Sequence, residues 1–91
     1  LIYVAGNPDI AEISAKYDYT LRNKSGVLEL TPAPFKEAET VTLTIPFSGK
    51  AKVIGVDRKG KELTKGVIAV KDGKIALPID GKVFRYLISK N

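Results

Sequence analysis

The chain has 91 residues, a net charge of +5 at pH 7 and 44% hydrophobic residues, a size that fits one hydrophobic core and leaves little interior to hollow out for a substrate. It has no Cys, His, Trp or Met, which excludes zinc sites of the nitrogen and sulfur type, Ser-His and Cys-His nucleophile pairs, thiol redox chemistry and disulfide staples. Residues 1–49 carry four bases and six acids, whereas residues 50–91 carry eleven bases and four acids; a basic half of this kind attracts polyanions through long-range, salt-sensitive forces or keeps β edges soluble.

The first segment, Leu1-Ile2-Tyr3-Val4-Ala5, reads as a strand. The chain opens on Leu, as expected of a piece of a longer polypeptide, and Asn7, Pro8 and Asp9 interrupt the apolar run too early for a signal peptide. No apolar stretch approaches the roughly 20 residues that span a bilayer, so no membrane insertion is expected. From 11 to 22, Ala11, Ile13, Ala15, Tyr17, Tyr19 and Leu21 alternate with polar residues. That period of two predicts one half-buried antiparallel strand, because successive side chains point to opposite faces. Asn23-Lys24-Ser25-Gly26 supplies a turn, and 27–31 returns as its hairpin partner.

Pro32-Ala33-Pro34 breaks the ladder, and the polar linker after it, with Glu37 and Glu39, is expected to cross between sheets. Residues 40–47 resume alternation, with Val41, Leu43, Ile45 and Phe47 inward, and Pro46 marks a strand end. A strand over 50–56, a reverse turn at Asp57-Arg58-Lys59-Gly60 with Gly60 at positive φ, and a return over 63–70 follow. Asp72-Gly73 predicts a type I′ hairpin into Ile75, Leu77 and Ile79, and Asp80-Gly81 predicts a second one before a closing strand over 83–89, where Phe84, Tyr86 and Ile88 share a face. About eight short strands with regular turns and no helical period indicate a single domain over 1–91, an all-β antiparallel sandwich, Ig-like or similar.

The ten acids are the candidates for paired acid-base work. Asp57, Asp72 and Asp80 sit in turns that favour Asp, Glu62 follows a hairpin in a Lys-rich setting, and Glu12 and Asp18 share a wet face with Lys16. No catalytic residue, metal or cofactor is therefore expected, although Asn7 and Asp9 carry oxygen ligands of the type that calcium uses. The bases of the second half lack an interleaved aromatic strand, so nucleic acid is not an expected partner. Sugar-binding sandwiches stack an exposed aromatic on a pyranose. Periodicity assigns Tyr17, Tyr19, Phe84 and Tyr86 to the core and leaves Tyr3 and Phe35 as the candidate ligand-binding residues. The absence of Gln and the presence of three Asn fit a thermostable protein.

The second half also carries a chain of motifs: Val41-Thr42-Leu43-Thr44-Ile45, then Ala51, Val53, Asp57 and Gly60, then Asp72-Gly73 with Leu77 and Ile79, then Phe84 and Tyr86. In these, about half the chain resembles the C-terminal β-sandwich domains appended to many bacterial glycoside hydrolases, and bacterial Ig-like modules use similar hairpins. The resemblance implies a non-catalytic accessory domain, extracellular or at the cell surface, that packs against a catalytic domain of the same polypeptide and in some cases helps to hold a polysaccharide. A carbohydrate-binding module and an Ig-like spacer of a cell-surface protein are the alternatives.

Overall fold

Small polar residues and glycine set the places where the chain reverses, and the segments between them are strands. The computed structural model describes residues 2–5, 13–33 and 38–91, the first four by backbone alone. Along these run β1 (Ile2–Ala5), β2 (Ile13–Ser14), β3 (Tyr19–Lys24), β4 (Val27–Pro32), β5 (Glu39–Thr44), β6 (Lys50–Val56), β7 (Glu62–Ala69), β8 (Lys74–Ile79) and β9 (Arg85–Lys90), with no helix among the described residues. They form a six-stranded sheet in the order β1-β3-β4-β9-β6-β7 and a three-stranded sheet in the order β2-β5-β8. The pairing is antiparallel except between β1 and β3, which run parallel. The fold is an all-β sandwich.

One cluster of buried side chains fills the space between the sheets. Leu21, Leu28, Leu30, Tyr86 and Ile88 come from the large sheet, and Val41, Leu43, Ile75, Leu77 and Ile79 from the small one. Each such side chain stabilises the fold by about 1.5–3 kcal/mol relative to an exposed position. Alternation therefore holds where it is read from the inward residues of β3, β4, β5 and β8.

Three expectations need correction. The segment expected as one strand over 11–22 is, over its described residues 13–22, two strands: β2 belongs to the small sheet and β3 to the large one, with the crossing between them. A chain that switches sheets at a sandwich corner keeps its apolar side toward the same core, so period-2 alternation cannot reveal the break. Asp72 (φ 54°) and Gly73 (φ 75°) do form a turn of the expected kind, closed by Lys71 and Lys74 exchanging two hydrogen bonds of 2.9 and 3.0 Å. The pairing stops at that single bridge, because β7 stays in the large sheet and β8 enters the small one. At Asp80-Gly81 there is no positive φ; the Val83 amide donates to Asp80 O at 3.1 Å, Asp80 Oδ1 accepts the Lys82 amide at 2.9 Å, and the turn carries the chain from β8 back to the large sheet. In consequence regular alternation begins only at Arg85: Val83 is buried and Phe84 lies half-buried outside the core cluster.

The other turns follow the sequence. Ser25 and Gly26 both take positive φ between β3 and β4, and Asn23 Oδ1 accepts the Gly26 amide at 3.0 Å. Gly60 has a φ of 84°, and Asp57 Oδ1 holds its loop by accepting the Lys59 and Lys61 amides, each at 2.9 Å. The linker after β4 does cross between the sheets, and Glu39 starts β5 instead of belonging to the linker.

Candidate functional site

The feature that the sequence did not single out is β7. A six-stranded sheet cannot be covered from end to end by a three-stranded one, and β7 is the strand left at the open margin. Its C-terminal end still reaches the core through half-buried Ile68 and the following Val70. Everything from Glu62 to Val67 is exposed, with Leu63 at 46% and Val67 at 53% the two exposed large apolar side chains among the described residues. The parity of the strand places Lys65 and Val67 on the outer face, and Leu63 is the extra residue of a β-bulge between Glu62, opposite Val56, and Thr64, opposite Gly55. On the outer face Val67 is opposite Lys52 and Lys65 opposite Ile54, whose other neighbour across β9 is Leu87.

The backbone of β7 is as informative as its side chains. The Val70 amide donates to Gly49 O at 2.9 Å, and pairs in an antiparallel ladder alternate between hydrogen-bonded and non-hydrogen-bonded. Ile68, Gly66 and Thr64 consequently turn their N–H and C=O groups toward β6, and Lys65 and Val67 turn theirs to the free edge. The remaining edges differ. β2 is two residues long, β8 contains Pro78, which has no amide donor, and β1 is a four-residue parallel strand. Of the described edges, β7 is the long one, eight residues without proline and in regular register from Thr64 to Ala69.

Beside it lies the basic half. Phe84 sits with the Arg58 guanidinium 4.9 Å and that of Arg85 5.2 Å from its ring centre, and Arg85 Nε donates to Thr31 Oγ1 at 3.0 Å. The guanidinium groups lie where a sugar ring would stack, so Phe84 offers no bare platform. Truncating Arg58 to Ala is expected to lower stability by about 0.5–1 kcal/mol, the size of an exposed cation–π contact, in chemical denaturation.

The acids are engaged one at a time. Glu29 pairs with Arg22 across β3 and β4, at 3.0 Å to Nε. Asp57 and Asp80 hold turns through the contacts given above, and Asp72 occupies one. Glu39 does the most: Oε1 accepts the Lys16 amide at 2.9 Å, and Oε2 accepts the Tyr17 amide at 3.2 Å and the Tyr19 hydroxyl at 2.6 Å. It thereby fixes the crossing from β2 to β3. No group of three acids that could hold a metal occurs among the described residues. Asp9, Glu12, Glu37, Asn7 and the candidate Phe35 lie outside the described residues. Tyr3 is opposite Thr20 in the parallel pairing of β1 with β3, and its side chain is outside the description too.

Glu39 gives the protein a pH dependence. Burial pushes its carboxyl up, and the hydrogen bonds from Tyr19, Lys16 and Tyr17 outweigh this and hold it below the ordinary 4.5. A lowered native pKa contributes stability that is present above pH 4.5 and lost as the pH falls through the lowered value. Thermal unfolding followed against pH should therefore show Tm falling below 4.5, with a shallower fall in Glu39→Gln. At the alkaline end, burial first and Glu39 second push the Tyr19 phenol up, and burial pushes Tyr86 up against the opposing Asp80 hydrogen bond. Their contribution is present below pH 10 and lost as the pH rises through the raised values.

No model of a known protein family matches the chain, and no curated protein and no solved structure is significantly similar to it.

Proposed function

We propose that this chain is a non-catalytic accessory β-sandwich of a larger, extracellular carbohydrate-active protein, which packs against the catalytic domain of the same polypeptide and stabilises it. The observation that supports this reading is the edge of β7, which no described strand pairs, with Leu63 and Val67 exposed. A long strand edge that carries exposed apolar side chains, here with half-buried Ile54 and Leu87 in the neighbouring strands, is a surface that another chain can cover. The motif resemblance of the second half supplies the kind of partner.

The test is a Leu63→Glu, Val67→Glu double variant made in the whole polypeptide and in this chain alone. In the chain alone the change is at exposed positions and should move stability by no more than about 0.5 kcal/mol. In the whole polypeptide the melting of the catalytic domain should drop by several degrees. Equal and small effects in both contexts, or a parent polypeptide with no catalytic domain, would refute the proposal.

A further inference from the structure

We infer that β7 is a site of strand addition, at which an extended acidic segment of the partner pairs along the free edge and continues the large sheet. This rests on the docking reading above and specifies how the partner is held. The outward N–H and C=O groups of Lys65 and Val67 are hydrogen-bonding partners already fixed in strand geometry, because the opposite sides of Thr64, Gly66 and Ile68 are tied to β6. An added strand satisfies them without cost in ordering this side of the interface. Gly66 leaves the inner face of β7 open, with nothing within 4 Å of the place a Cβ would take. On the outer face Lys65 and Val67 follow one another in regular register and ask for an acidic and an apolar residue two positions apart on the incoming strand.

Charge decides between occupants. Lys61, Lys65 and Lys71 lie on or beside β7, Lys50 and Lys52 face it from β6, and Glu62 is the one acid within the strand. A second copy of this chain, itself of net charge +5, brings the same cations to the same edge, so self-pairing sets like charges against each other. An acidic segment meets opposite charge at each of these positions and is steered to the edge before contact.

The probe is a synthetic eight-residue peptide, Val-Thr-Glu-Thr-Val-Thr-Glu-Thr, whose valines and glutamates alternate along one face of a strand, with lysine in place of glutamate as its charge-reversed control, each titrated into the protein and followed by backbone amide NMR. The glutamate peptide should shift amides along β7 and its flanks and slow hydrogen exchange at Lys65 and Val67; the lysine peptide should do neither. Val67→Pro deletes an outward amide that the β6 ladder does not use and should weaken binding by about tenfold, whereas Val67→Thr keeps that amide and should weaken it less. Lys65→Glu should weaken the glutamate peptide without touching the backbone, and it serves where the proline variant fails to fold. Equal losses in Val67→Pro and Val67→Thr, no response to the glutamate peptide, or a dimer dispersed by Val67→Pro would overturn strand addition by an acidic segment. If the peptide fails while the double variant still destabilises the catalytic domain, docking stands without strand addition; if both fail, both readings fall.

Discussion

Gly55→Ala is expected to lower the free energy of unfolding by about 1–3 kcal/mol, which for a domain of this size is a fall in Tm of roughly 4–8 °C for each kcal/mol. Gly55 is buried in β6, opposite Thr64 on one side and Tyr86 on the other. A Cβ there would collide with Thr64 Oγ1 and stand 3.0 Å from both γ carbons of Val83. Thr64 is exposed and can turn its hydroxyl away. Val83 cannot yield as easily, because it is 2% exposed and its amide is bonded to Asp80 O in the corner between β8 and β9. The contrasting substitution is Gly66→Ala, one strand away. Nothing lies within 4 Å of its added methyl and its φ is not positive, so it should be neutral or stabilise by up to about 0.4–1 kcal/mol through the unfolded chain. Urea titration of the two variants against the parent gives both numbers, and equal effects would show that Gly55 is not a packing contact.

Tyr86→Phe is expected to cost about 1–3 kcal/mol, from the loss of a partner for a backbone group. The ring belongs to the core, but its hydroxyl reaches back six residues to accept the Asp80 amide at 2.6 Å. That bond ties the end of β8, in the small sheet, to β9 in the large one. It is the same arrangement as the tyrosine corner of Ig-type sandwiches, where a tyrosine near the start of a strand holds the backbone of the preceding corner. The substitution keeps the ring and its packing, so the loss reports the hydroxyl alone. A further sign is expected in hydrogen exchange: the Asp80 amide should exchange faster in Tyr86→Phe while the amides of Leu28 and Leu30 keep their relative order. A variant as stable as the parent would show that water replaces the hydroxyl at no cost.

Much of this architecture is legible from residue order, and the reason is local. Inward residues such as Val41, Leu43, Ile75 and Leu77 alternate with exposed ones within a single strand, and the turns at Ser25-Gly26 and Asp72-Gly73 need the backbone conformations those residues permit. What stays hidden depends on contacts between distant segments. Whether Ala15 to Asp18 continues a strand or crosses between sheets is decided by Glu39, more than twenty residues away, accepting the Lys16 and Tyr17 amides. The same holds for β7: its Val67-Ile68-Ala69-Val70 run has the composition of a buried strand, yet only Ile68 and Val70 are half-buried against the core, and the sheet order, which puts β7 at the margin, is what leaves Val67 and Ala69 exposed. Phe84 illustrates the converse, an aromatic assigned to the core by counting twos through a turn where the count does not apply.

The proposed docking rests on the open edge of β7, and amide hydrogen exchange of the chain alone tests that edge most directly. Gly66 and Ile68 donate toward β6 and should be protected, whereas Lys65 and Val67 face solvent and should exchange at rates close to those of an unstructured chain, giving a two-residue alternation along the strand. Uniform protection from Thr64 to Ile68 would mean that the edge is already paired within this chain, and would contradict the account.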